Sequence, residues 1–287
     1  MAEHRDQWAE WLAVRRFGGN GDVRHRYLER LTRRRDEVLD RAAVAEGDVL
    51  LDVGCGEGLI GFGALARGAA VVFSDISEDL LDFCHEAASD LGVAERCRFV
   101  RASADNLDVL ADGEVDVVTT RSVLIYVADK RAAFAEFFRV LRPGGRISLF
   151  EPINRFAGRT FLGYDLTPLG ELAERLDAVY GGKDASESDP MLDFDERDLV
   201  GFAEEAGFFP IQLRLDLELR STDAEPLDAF LDRAPNPLVP TLREALAESL
   251  NREEQEQVIS YLRPLVEHGR GVWRMATAYL TATRQAA

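Results

Sequence analysis

The sequence predicts an α/β fold: a doubly wound, Rossmann-like sheet with helices on both faces and helical cap insertions. Three observations predict it. From Asp48 to Pro152 short apolar segments alternate with helix-like ones, the pattern of repeated strand–helix units that builds a parallel sheet. The first apolar segment runs directly into a glycine-rich turn, "GCGEG". Beyond Pro152 the character changes, and two strand-like segments near the C-terminus are separated by about fifty residues with helical patterning.

The elements follow in order. "RHRYLERLTRRRDEVLDR", Arg24 to Arg41, reads as one helix with Tyr27, Leu28, Leu31, Val38 and Leu39 on an apolar stripe. Its arginines read as a solvated face, or else one of them reaches an anionic group on a ligand. "DVLLDV" is nearly all apolar, as a buried parallel strand requires. "LIGFGALARG" is a helix ending at Gly68, and "AVVFSD" is the second strand. "SEDLLDFCHEAASDLG" is a helix with Ser77 as N-cap and Glu78 and Asp79 in the first turn, where the helix dipole favours acids. "CRFVRA" and "VDVVTT" are strands three and four. "DKRAAFAEFFRVL" is a helix, and "RPGG" turns the chain into strand five, "RISLFEP". "DERDLVGFAEEAGF" is a helix stopped by Gly207. "IQLRLDLELR" alternates strictly, so it is a strand with one wet face. "VWRMATAYLTATR" is the last strand, expected to pair with it antiparallel at one side of the sheet.

This organisation gives a helical lid at 1–45, a ligand-binding core at 46–154 and an insertion at 155–190 ending in the polar loop "GGKDASESDP". A core helix and strand follow at 191–220, a helical cap at 221–270 and the final strand at 271–287. The helices outside the core are expected to cover the carboxyl edge of the sheet. Several of their aromatics (Trp8, Trp11, Phe17, Phe156, Phe161, Tyr164, Tyr180) are expected to line an apolar acceptor pocket, although ordinary helix packing accounts for most of them.

Composition removes several classes of function. The chain has 287 residues, 46% of them hydrophobic and 30% charged, so it buries a core. A net charge of −18 argues against a partner held by its phosphate backbone. No apolar run approaches the ~20 residues of a membrane span. The charged start "MAEHRDQWAEWL" is no secretory signal, and a cytoplasmic location is expected. The three cysteines, Cys55, Cys84 and Cys97, stand at no metal-ligand spacing and suit a reducing compartment. No metal is expected, and the four histidines share no binding spacing.

The glycine turn lies where α/β sheets bind ligands. Its spacing is ambiguous. Gly56, Gly58 and Gly61 fit the dinucleotide pattern, while Gly54, Gly56 and Gly58 fit GxGxG after an acidic residue. Asp52 disfavours a pyrophosphate and suits a cationic ligand, or else it hydrogen-bonds the turn. Asp75, ending strand two, suits the hydroxyls of a ribose and does not discriminate.

Five segments taken together resemble the class I S-adenosylmethionine-dependent methyltransferases of the small-molecule type. They are "LLDVGCGEG", "FSDIS", "RASADNL", "VLIYVADK" and "RVLRPGGRISLFEP". The match runs over roughly residues 46 to 154, with a looser likeness through the C-terminal strands. The resemblance implies a seven-stranded, mostly parallel sheet with an antiparallel last strand, and S-adenosyl-L-methionine (SAM) as cofactor. It implies that Gly54, Cys55, Gly56 and Gly58 pass under the methionine and ribose, and that Asp52 orders the turn near the ammonium group. Asp75 then grips the ribose hydroxyls and Ile76 packs on the adenine. Ala102 and Ser103 stand where the family often has Gly-Asp. The adenine contact therefore falls to Ser103 or Asp105, with Ala104 between them, unless Asp105 only caps its loop. Arg121 and Ser122 border the methionine end.

Methyl transfer is an in-line displacement at a sulfonium carbon, so alignment and exclusion of water do most of the work. A base is needed only where the acceptor keeps its proton. The candidate catalytic residues are Glu151 at the end of strand five, as a base or a binder of a cationic acceptor, Tyr126, as a substrate contact, and Arg121, as a binder of an acceptor or cofactor carboxylate. Two have plainer readings: backbone bonding for Glu151 and packing for Tyr126. The expected partner is a small-molecule methyl acceptor, with no nucleic acid and no membrane; a homodimer stays open. The rivals are a dinucleotide-dependent dehydrogenase and a methyltransferase-like protein that binds the cofactor without turnover.

Overall fold

The computed structural model describes residues 5–156, 160–180 and 189–286. His4 and most of the loop "GGKDASESDP" lie outside the described residues. In chain order the elements are α1 (Gln7–Glu10), α2 (Gly21–Arg41), β1 (Val49–Val53), α3 (Leu59–Ala66), β2 (Ala70–Asp75), α4 (Glu78–Asp90) and β3 (Cys97–Arg101). They continue with β4 (Val115–Arg121), α5 (Lys130–Val140), β5 (Leu141–Pro152), α6 (Glu171–Val179), α7 (Glu196–Ala206) and β6 (Ile211–Ser221). The last are α8 (Leu227–Leu231), α9 (Leu242–Ser249), α10 (Arg252–Val266) and β7 (Val272–Thr283).

The sheet has seven strands in the order β3-β2-β1-β4-β5-β7-β6. The first five pair in parallel, and β7 runs antiparallel to β5, with Glu151 opposite Ala278. This is the predicted topology. Strand order reverses between β1 and β4, so the carboxyl ends of β2, β1 and β4 stand side by side and open a crevice there.

Local chemistry explains the elements. The Ser77 hydroxyl accepts from Leu80 N at 3.1 Å and Asp129 accepts from Ala132 N at 2.9 Å, which caps α4 and α5. Asp195 and Asp198 form a reciprocal capping box on α7, and Gly207 ends it in the left-handed conformation. One boundary departs from expectation. Strand five begins at Leu141, before the "RPGG" turn, because Leu141 already pairs with Val115. The register then jumps to Arg146 opposite Val117, and the turn is a bulge inside the pairing. Strand β6, at the sheet edge, also differs: in its second half Leu217 and Leu219 are each 57% exposed, so the wet face is not the only open one.

The chain divides into two compact units. One, the α/β unit, comprises Glu29–Ile153, Phe194–Asp216 and Thr277–Ala287. Its core joins Leu50, Ile60, Ala64, Val71, Phe73 and Leu81 to Val38 and Leu39 of α2. The arginines of α2 are not simply a solvated face. Arg34 stacks over Phe150 and Arg41 over Tyr279, each 5.2 Å from the ring centre. A guanidinium is weakly hydrated and planar, so it covers an aromatic ring at little desolvation cost.

The other, helical unit gathers Met1–Leu28, Asn154–Asp193 and Leu217–Ala276. It has a core of its own around Tyr164, Leu176, Phe230, Leu242, Leu246, Val258 and Leu262. Of the aromatics singled out from the sequence, Phe161, Tyr164 and Tyr180 pack in it. Phe161 and Tyr164 pack edge-on against Phe230, and the Trp11 indole N–H donates to the Ala234 carbonyl at 2.9 Å. No helix among the described residues is long and apolar enough to cross a membrane.

Candidate cofactor and active site

The site is built at the carboxyl ends of β1, β2 and β4. The turn after β1 needs glycine: Gly54, Gly56 and Gly58 have φ of +61°, +54° and +74°. Gly54 is also hemmed in, since a Cβ there would stand 2.5 Å from Val123 Cγ2.

Two carboxylates hold this turn. Asp75 Oδ2 accepts from Gly56 N at 2.9 Å, and its Oδ1 accepts from Ser77 N at 3.0 Å. Asp52 Oδ2 accepts from Gly61 N at 2.9 Å, fixing the first turn of α3, and Oδ1 lies 3.4 Å from the Thr119 hydroxyl. Burial pushes the Asp52 carboxyl up to about 7, against the Gly61 hydrogen bond and the charge of Arg121, which pull it down. Cys55 N donates to Ser74 O at 2.9 Å and extends the β1–β2 ladder by a residue. A hydrogen bond with Cys84, and then burial, push the Cys55 thiol well above its ordinary value, which favours the unreactive thiol form.

The other expected contacts converge from β2, β3 and β4. Ile76 follows buried Asp75 and is 45% exposed, an apolar side chain presented at the strand end. Ala102 N donates to Asp75 O at 3.1 Å, which brings the loop of Ser103, Ala104 and Asp105 beside β2. Ala104 is buried, and the Ser103 hydroxyl donates to Asp105 Oδ1. Asp105 therefore caps its loop, and the Ser103 oxygen keeps lone pairs for another donor. After β4, Ser122 sits at φ +59°, rare for a residue with a side chain, and its N–H donates to Phe150 O at 2.8 Å. Arg121 and Tyr126 are half-buried on either side of it.

Glu151 has a place of its own. It is 0% exposed. Its Oε1 accepts from the Thr120 hydroxyl at 2.7 Å, and both oxygens lie 3.1 Å from Val123 N. Oε2 also accepts from Leu124 N at 3.1 Å. Burial raises this carboxyl to about 7 despite those bonds. The arrangement ties Glu151 to the 3₁₀ turn Leu124–Tyr126.

A methyltransferase-domain family model matches residues 51–149. The chain is 30% identical over 193 residues to the ubiquinone/menaquinone biosynthesis C-methyltransferase of Klebsiella pneumoniae, covering 64% of this chain and 73% of that one. The chain belongs to the class I SAM-dependent methyltransferases. It is also 34% identical over 100 residues to the tRNA 5-carboxymethoxyuridine methyltransferase of Escherichia coli, 35% of this chain and 38% of that enzyme. The chain spans about half the length of several curated relatives it matches. Among solved structures, a geranyl diphosphate methyltransferase in complex with SAM superposes with a TM-score of 0.53 at 20% identity, over 93% of this chain and 92% of that one.

The cofactor of this family fits the residues present. The side chains bonded to the glycine turn are carboxylates and a thiol. That set repels a diphosphate and accepts a ligand carrying a sulfonium and an ammonium. Asp75 is buried at the end of β2 and accepts from two backbone N–H groups, which fixes a carboxylate where a ribose would lie. Sequence reading missed Thr119 beside Asp52, Thr120 on Glu151 and Cys84 on the turn, and it took Gly61 only as part of a dinucleotide pattern. Only "TT" at the end of a buried strand was a visible signal, as polar residues where the apolar run stops.

Proposed function

We propose that this chain moves the methyl group of SAM to a small organic acceptor by in-line displacement. The observation that carries the reading is Asp75, buried at the end of β2 with one oxygen on Gly56 and the other on Ser77 at the sheet's switch point. When bound, the cofactor supplies an activated methyl carbon on a sulfonium. Asp75 binds its ribose hydroxyls, Ile76 covers its adenine, and Ser103 accepts from the adenine amino group. Asp52 keeps the turn in register with α3. Arg121 and Tyr126 flank the strained Ser122 and are the side chains offered to the acceptor; Glu151 holds their loop in place.

Two facts support a small-molecule acceptor: relatives named for ubiquinone and menaquinone biosynthesis, and a net charge of −18, which opposes a nucleic-acid substrate despite the tRNA-modifying relative.

Titration calorimetry with SAM, S-adenosylhomocysteine and NAD tests this on wild type and Asp75→Ala. SAM and S-adenosylhomocysteine are expected to bind, and the substitution to weaken both at least about tenfold, the scale of lost hydrogen bonds to a charged group. Binding of NAD alone would overturn the reading. A screen of quinone-like and other small acceptors then reads turnover directly.

A further inference from the structure

The glycine turn is also held by Cys84 of α4. Its thiol donates to the carbonyl oxygen of Gly56 at 3.3 Å. Gly56 N–H is already bonded to Asp75 Oδ2. Both backbone polar groups of Gly56 are thus held by side chains, one from the end of β2 and one from α4. The same sulfur packs under the next glycine, since a Cβ at Gly58 would lie 3.1 Å from Cys84 Sγ. Cys55 adds a longer contact, Sγ to the same Gly56 oxygen at 3.8 Å. Both thiols are buried and free.

We infer that Cys84 is a positioning residue for the cofactor: its S–H fixes the Gly56 carbonyl and so sets the shape of the turn on which SAM lies. The inference rests on the reading of this turn as the SAM site. A glycine at φ +54° has no Cβ to resist rotation, so its conformation is decided by the partners of its N–H and C=O. Without the thiol the half-buried Gly56 carbonyl is left poorly satisfied, and it turns toward another donor. The turn then spends part of its time in a shape the cofactor must correct on binding, which appears as a weaker affinity.

The test is titration calorimetry with SAM and S-adenosylhomocysteine, well below the melting midpoint, on wild type, Cys84→Ala, Cys84→Ser and Cys97→Ala. Cys97 bonds Val93 O at the far end of β3 and serves as the control thiol. Cys84→Ala is expected to raise both dissociation constants about tenfold. Cys84→Ser, which keeps a donor, is expected to recover most of that loss, and Cys97→Ala to match wild type. A role confined to stability would lower the melting temperature of Cys84→Ala and leave its affinity unchanged, which overturns the inference. A serine variant as weak as alanine also overturns it, because packing rather than donation would then be at work. If wild type binds neither ligand, the cofactor reading falls, and this inference falls with it.

Discussion

Glu151→Ala is expected to lose about 3 kcal/mol of stability and nearly all turnover. The carboxylate is fully buried and accepts from Thr120, Val123 and Leu124. Alanine leaves one hydroxyl and two backbone N–H groups without that acceptor, and each buried orphan costs about 1–3 kcal/mol. Part of the loss is offset, because burying the carboxyl is itself unfavourable; that is why its proton is held up to about 7. The loop it holds carries Arg121, Ser122 and Tyr126, so the stability loss and the activity loss have one cause. Urea denaturation gives the first and an acceptor assay the second. A variant as stable as wild type but inactive would return Glu151 to the role of a base.

Its titration gives a separate signature. The folded state binds this proton more tightly than the unfolded chain, where the value is 4.5. The stability it contributes is therefore complete below about pH 4.5 and is lost as pH rises through about 7. A shift of that size corresponds to roughly 3 kcal/mol. Asp52, raised to about 7 from 3.8, acts in the same direction. Wild type should lose more stability than Glu151→Gln between pH 5 and pH 8, since the amide does not titrate. Parallel pH profiles for the two proteins would contradict the placement of this carboxyl.

Much of the fold was legible because its causes are local. "AVVFSD" matches β2, Ala70–Asp75, residue for residue, since a strand covered on both faces shows as an apolar run, here ended by the polar pair Ser74 and Asp75 at its carboxyl end. Ser77 announced α4 because an N-cap acts within a single turn. The unread features are those that long-range pairing creates. Nothing near Glu151 in sequence tells whether a carboxylate ending a strand meets a ligand or amides; only the β4–β5 pairing brings Thr120 and Val123 to it. Cys84 lies twenty-eight positions from Gly56, and no periodicity links a thiol in a helix to a turn two elements earlier. The α2 arginines occupy the polar stripe of an amphipathic helix, yet Arg34 and Arg41 are spent on Phe150 and Tyr279, which come from distant strands.

Gly61→Ala shows how tightly the core and the site are joined, and it is expected to cost about 3 kcal/mol and at least tenfold in SAM affinity. On helix propensity alone the change should help, because alanine is better than glycine inside a helix by about 1 kcal/mol. Gly61 lies in α3, however, and a Cβ there would stand 2.2 Å from Phe73 Cε1 and 2.7 Å from Cζ. That ring cannot step aside: it is fully buried, with Phe62 and Phe99 each 5.3 Å away between ring centres. Either the ring leaves its stack or α3 lifts, and lifting α3 breaks the bond from Gly61 N to buried Asp52. Overpacking and the loosened carboxylate together outweigh the propensity gain. Gly63→Ala is the milder case, since the nearest atom it meets, Arg35 Cδ at 2.6 Å, belongs to a half-buried, flexible side chain, although Leu39 Cδ1 at 2.8 Å is the end of a buried one. The melting temperature of Gly61→Ala should fall by roughly 8 °C and that of Gly63→Ala by much less. Equal midpoints for the two variants would mean that α3 does not seat its first turn against Phe73, and that the glycine turn takes its shape from its side-chain partners rather than from the packing of α3.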